Sequence, residues 1–160
     1  MPAIKTDLNA LASNEDLVIW LGHSYYYVQL HGKRILIDLV LSDYAPHSLF
    51  LNKAFSGTTS YRVIDLPEID YLLISHDHWD HLDYPTVTGL YNKVKQAIVL
   101  LGVGAHLRYW GYSKNRIIEA DWYSELTLDN DFTHYVLPAR HYEPHFKQIA
   151  NLINGFDLVF

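Results

Sequence analysis

The sequence predicts a mixed α/β protein, a sheet packed on helices, as a single domain over residues 1–160. Three observations point there. Apolar runs of strand length recur along the chain, and several are rich in Tyr, Val and Ile, types that suit a pleated surface. The early runs follow one another through short turns, as in a meander. The later ones alternate with segments of helical spacing. A chain of 160 residues is one ordinary domain and buries about 68–70% of its unfolded surface. Its 49% hydrophobic and 19% charged residues are a globular composition.

The elements follow in order. Strands are expected over residues 17–21 and 25–31, with Gly22 at the turn, and Ile35-Leu36-Ile37 continues the meander after Gly32-Lys33. Residues 42–66 are polar and contain Pro46 and Gly57, and read as a long irregular excursion. A buried strand is expected over residues 70–75. A helix is expected over residues 84–95, with Pro85 in the first turn and Val87, Leu90 and Val94 at helical spacing. Residues 97–101 read as a strand, residues 105–110 as a short helix after Gly102-Val103-Gly104, and Ile117-Ile118 as a short strand. Residues 132–137 read as a strand, 148–153 as a helix and 156–160 as a strand.

Composition excludes several classes. The net charge is −6, the wrong sign for non-specific nucleic-acid binding. Apolar runs such as Ile98-Val99-Leu100-Leu101 are far too short to span a bilayer, so no transmembrane segment is expected. Residues 1–9 carry no apolar core of a secretory signal. With no cysteine there is neither a disulfide framework nor a thiolate metal site. A soluble, cytoplasmic protein is the expectation.

Ten histidines remain to be explained, and three of them fall in six residues. The stretch Ser75-His76-Asp77-His78-Trp79-Asp80-His81-Leu82-Asp83 reads H-x-H-x-D-H, directly after a buried strand and before a helix. Neutral imidazoles and carboxylates are the donors zinc accepts when thiolates are absent. His76 and His78, two apart in an extended segment, point to one side. Asp80 and His81 lie past the bend, within reach of a second position, and two metals about 3.5–4 Å apart suit such a loop.

This loop resembles the signature of the metallo-β-lactamase superfamily of metal-dependent hydrolases. The likeness is nearest to the branch of N-acylphosphatidylethanolamine-hydrolysing phospholipase D and its bacterial relatives. Six further segments match in the family's order: Trp20-Leu21-Gly22-His23-Ser24, Leu36-Ile37-Asp38, Leu66-Pro67-Glu68-Ile69-Asp70-Tyr71, Leu101-Gly102-Val103-Gly104, Glu119-Ala120-Asp121-Trp122 and Pro138-Ala139-Arg140-His141. The resemblance implies an αββα sandwich, here mainly its N-terminal half, with zinc at one edge of the sheets. It gives His76, His78 and His141 to a first zinc and Asp80 and His81 to a second. Manganese and iron accept the same donors. Asp38 matches a family position near the site, and is read either as an acceptor holding a ligand ring or as a turn aspartate. His23, in the Gly-His-Ser turn, is a further candidate for lining the pocket.

The chain departs from the family after the fifth implied ligand. Relatives continue with a hairpin ending in Gly-Asp-Ser-Gly-Tyr, whose Asp bridges the metals. Here His141 runs straight into Tyr142-Glu143-Pro144-His145-Phe146. That carboxylate, and a later His of the second site, are therefore expected to be absent, leaving the second position with Asp80 and His81. Sheet surface left open in this way would favour a homo-oligomer.

The function expected from the resemblance is zinc-dependent hydrolysis of a phosphodiester or ester-like bond in a small-molecule or lipid-like substrate. The metal lowers the pKa of bound water towards about 7 and supplies hydroxide, with Asp80 a ligand rather than a general base. Two alternatives stand beside it: a lactonase acting on a sugar phosphate, and a non-catalytic remnant that binds metal or a partner. Asp77 and Asp83 read as loop or helix-start carboxylates. His31, His47, His106 and His134 read as surface or partly buried residues, and Trp79 and Trp110 as core or rim; for His145, in the Pro-His-Phe piece, a pocket role is open but not favoured. The excursion over residues 44–61 is either an apolar lid or a loop tucked on the core.

Overall fold

A computed structural model describes residues 4–42, 61–129 and 132–136. The chain divides into two compact units, residues 1–119 and 120–160. The first is built on a six-stranded sheet in the order β1-β2-β3-β4-β5-β6. β1 (Leu17–Gly22), β2 (Tyr25–Leu30) and β3 (Lys33–Ile37) pair antiparallel, and form the meander the sequence predicts. β4 (Ile69–Ile74) then lies parallel to β3, and β5 (Val94–Leu100) parallel to β4. α1 (Tyr84–Gly89) is on the crossover between them, α2 (Gly104–Tyr109) follows β5, and β6 (Ile117–Ala120) ends where the second unit begins.

The central strands are nearly continuous runs of apolar residues because they are covered on both faces. Leu36, Leu72 and Ala97, side by side across β3, β4 and β5, are fully buried, and Ile69, Leu90 and Leu107 join the same core. Each of these leucine and isoleucine side chains contributes about 1.5–3 kcal/mol of burial free energy. Gln29 is buried in β2, yet satisfied: its Nε2 donates to the carbonyls of Ala12 at 2.5 Å and Glu15 at 2.7 Å, which ties the N-terminal turns to the sheet.

The structure corrects one helix. The expected helix over residues 84–95 ends at Gly89, and Val94 opens β5 instead, opposite Ile69. Thr86, Thr88 and Gly89 are weak helix formers, so the pairing of Val94 with β4 wins over continued helical spacing. A Cβ at Gly89 would also lie 3.0 Å from Val63. The short helix α2 spans Gly104–Tyr109, one residue earlier than read from sequence.

In the second unit, β7 (Glu125–Asp129) and β8 (Phe132–Tyr135) form an antiparallel hairpin. Only β8 is expected from sequence, although Leu126 and Leu128 alternate with polar residues at the period of a strand. The predicted elements over residues 148–153 and 156–160, and most of the excursion over 42–66, lie outside the described residues. Among the described residues no helix is long and apolar enough to cross a membrane.

Candidate metal centre

The topology brings three segments to one edge of the sheet. β3 and β4 are parallel, so Asp38, just after β3, and Ser75, just after β4, emerge at the same edge. β2 runs the other way, with Tyr26 opposite Ile37, so the His23-Ser24 turn before it lies at that edge too. Loops beyond the carboxyl ends of parallel strands are the usual place for a site in such sheets.

The loop from residue 75 to 83 is tightly turned. The backbone N–H groups of His81 and Leu82 both donate to the carbonyl of His78, at 2.9 and 2.7 Å. This turn folds His81 back over His76. The His76 ring lies 4.0 Å from the His81 ring and 4.5 Å from the His78 ring, centroid to centroid. Asp83 ends the loop as the N-cap of α1. It is buried and accepts from Thr86 N at 3.2 Å and Ser42 Oγ at 2.8 Å, and from the Thr86 hydroxyl. That is the helix-start role expected of it.

Asp38 anchors the loop. Its residue is 5% exposed and its φ is +49°, a left-handed conformation that Asp tolerates better than most side chains. Its carboxylate accepts from Ser75 N at 2.7 Å, Ser75 Oγ at 2.6 Å and His81 Nδ1 at 3.0 Å. Asp38 therefore holds the His81 ring. Ser75 Oγ also lies 2.9 Å from His76 Nδ1. Sequence reasoning passed over Ser75, which as a lone serine carries no signal; its place beside Asp38 follows only from the parallel pairing of β3 and β4.

Asp80 lies between two imidazoles, its Oδ2 3.6 Å from His23 Nε2 and 3.9 Å from His81 Nε2. His23 takes a positive φ of 34°, is exposed, and has its carbonyl held by Trp20 Nε1 at 2.9 Å. Burial, and then the neighbouring imidazoles of His81 and His78, hold His76 below the ordinary imidazole range. That favours the neutral form, which is the metal-binding form.

The donor chemistry suits a metal ion. With Nδ1 of His81 on Asp38 and Nδ1 of His76 on Ser75, both rings leave Nε2 available, and ligating imidazoles commonly have their other nitrogen held in this way. Convergence is incomplete: among the described residues no three His, Cys, Asp or Glu side chains are arranged to hold a metal ion. His141, the remote ligand implied by the sequence resemblance, lies outside the described residues. His31 and His106 are exposed and His134 is half-buried, while His47 and His145 lie outside the described residues.

Comparison with known proteins adds to this geometry. A profile of the β-lactamase superfamily domain matches residues 33–158. An uncharacterized protein of Mycobacterium bovis is 39% identical over 130 residues, covering 81% of this chain and 35% of that protein. N-acyl-phosphatidylethanolamine-hydrolyzing phospholipase D 1 of Caenorhabditis elegans is 32% identical over 130 residues, covering 76% of this chain and 36% of that protein. Among solved structures, CmlA, a diiron β-hydroxylase from Streptomyces venezuelae, superposes with a TM-score of 0.54 at 30% identity, over 71% of this chain and 22% of that one. The chain thus spans about a third of the length of the curated relatives it matches.

Proposed function

This chain belongs to the β-lactamase superfamily, and from that premise we propose that it carries metal-binding residues of a metal-dependent hydrolase. The observation that supports this most is the packing of His76 between His78 and His81, with Nδ1 of His81 held by Asp38. His76, His78, Asp80 and His81, with His141 from the later chain, are the residues that would hold the ion. Zinc is the ion proposed. Manganese and iron suit the same donors, and the likeness to a diiron hydroxylase lends weight to iron. Such an ion, when bound, polarises a phosphoryl or carbonyl oxygen and acidifies a coordinated water.

The chain's own residues prepare the place. Asp38 fixes the His81 ring and the backbone at Ser75, so less of the loop is left to order on binding. Asp80 is shared between His23 and His81, which orients its carboxylate towards the imidazole cluster. His23, exposed beside Asp80, would meet a substrate. The proposed substrate is a phosphodiester of lipid-like or other small-molecule kind, on the strength of the likeness to a phospholipase D. A cytoplasmic setting belongs to the same proposal.

The test is hydrolysis by the full-length protein of bis(p-nitrophenyl) phosphate and of an N-acylated phosphatidylethanolamine. The expected result is turnover that chelation abolishes and that zinc, manganese or ferrous iron restores. Full activity after exhaustive chelation would overturn the metal mechanism, and tight metal binding without turnover would make the domain a non-catalytic binder.

A further inference from the structure

We propose that Ser75 is a positioning residue that relays Asp38 to His76, so that one buried carboxylate sets the tautomer of two imidazoles. The proposal rests on the metal-site reading of the loop and deepens it.

A carboxylate only accepts hydrogen bonds, and a serine hydroxyl has one proton to give. Ser75 Oγ is 2.6 Å from Asp38 Oδ2, so its proton lies between those oxygens; turned elsewhere, it would leave two lone pairs in close opposition. Ser75 Oγ can then only accept from the nitrogen 2.9 Å away, which places a proton on Nδ1 of His76. His81 Nδ1 reaches the same Oδ2 directly at 3.0 Å, so it too carries its proton on Nδ1. Both rings are thereby left with the Nε2 lone pair. Ser75 Oγ also lies 3.5 Å from His81 Nδ1, too long to compete with the carboxylate for that proton.

The backbone makes the relay possible. Ser75 N–H donates to the other oxygen of Asp38 at 2.7 Å, so main chain and side chain of one residue grip both oxygens of one carboxylate. The serine is exposed, and without its hydroxyl only water would stand at His76 Nδ1. Either tautomer of His76 would then be accommodated, and a part of the population would present N–H where a lone pair is needed.

The test uses the full-length protein, metal-free, at about pH 8, above the ordinary imidazole range. Nitrogen–proton correlation spectra read the tautomers of His76 and His81 in the wild type, Ser75→Ala and Ser75→Thr, and zinc titration gives each affinity. The expected outcome is Nδ1–H at both rings in the wild type and in Ser75→Thr. In Ser75→Ala, His76 alone becomes a mixture and zinc affinity falls about 10–100-fold, the range for loss of such a supporting partner. Retention of Nδ1–H at His76 in Ser75→Ala, or Nε2–H in the wild type, would overturn the relay. If the wild type takes up no zinc while the tautomers respond as described, the relay stands and the metal-site reading falls.

Discussion

Asp38 concentrates several demands at one residue. It is buried, it sits at a positive φ, and it accepts from Ser75 N–H, the Ser75 hydroxyl and His81 Nδ1. Replacement by Ala leaves the part-buried Ser75 N–H and an imidazole N–H without acceptors and puts a Cβ with no compensating hydrogen bond in the left-handed region. Asp38→Ala is expected to cost about 2–4 kcal/mol in urea unfolding and to lower metal affinity. Asp38→Asn tolerates the backbone but turns an amide N–H towards one of the donors, so it should lose metal affinity with the smaller loss of stability. Equal stability of wild type and Asp38→Ala would contradict this account. The part of the site legible in the sequence is the density of His and Asp between 76 and 81, because metal-donor residues at that spacing are rare by chance. Asp38 and Ser75 are common residues, and their partnership exists only once β3 and β4 lie parallel.

At the scale of elements, two short helices depend on polar latches more than on length. α1 is six residues long and starts from the buried Asp83, which gathers Thr86 and Ser42. Asp83→Ala should cost about 1–3 kcal/mol, seen as a lowered urea midpoint, with Asp83→Asn recovering part of it. α2 is latched by Glu119 of β6, which accepts from Gly102 N at 3.0 Å and from Arg108 Nη1 at 2.7 Å. A Cβ at Gly104 would fall 2.6 Å from the Glu119 carboxyl carbon. Gly104→Ala must therefore displace that side chain, and is expected to destabilise by about 1–3 kcal/mol despite alanine's better helix propensity. A stabilised Gly104→Ala protein would show the latch to be unimportant. The strands β1 to β5 were readable because apolar runs between Gly and polar turns leave little ambiguity. The length of α1 was not, since Val87, Leu90 and Val94 keep helical spacing while Val94 serves the sheet. β7 was passed over because five residues with two leucines give a weak alternation.

At the scale of the molecule, one sheet with a parallel centre brings the candidate site residues to the edge where β3 and β4 end. The expected mixed α/β class follows from the strand and helix order, and the assignment to the β-lactamase superfamily from the profile match over residues 33–158. Charge pairs at the surface shape the response to acid. Asp65 is held at about 2, below its ordinary 3.8, first by the Lys5 ammonium and then by the Arg62 backbone N–H. Glu119 is held below its ordinary range chiefly by Arg108. Depressed carboxylates stabilise the fold above their unfolded values, and that contribution is lost as pH falls through the folded values. The acid limb for Asp65 therefore lies between about pH 4 and pH 2. Asp65→Asn should remove its share of that limb, and high salt should shrink it, since the pair is exposed. An acid unfolding curve that Asp65→Asn leaves unchanged would contradict this.

The imidazoles of the loop after β4 are proposed to gather around one cation. Elemental analysis of the full-length protein, beside a His76→Ala/His78→Ala variant dialysed against the same micromolar zinc, decides this. At least one tightly held equivalent per chain is expected in the wild type and little in the variant. Equal metal content in the two proteins, or none in the wild type, would contradict it.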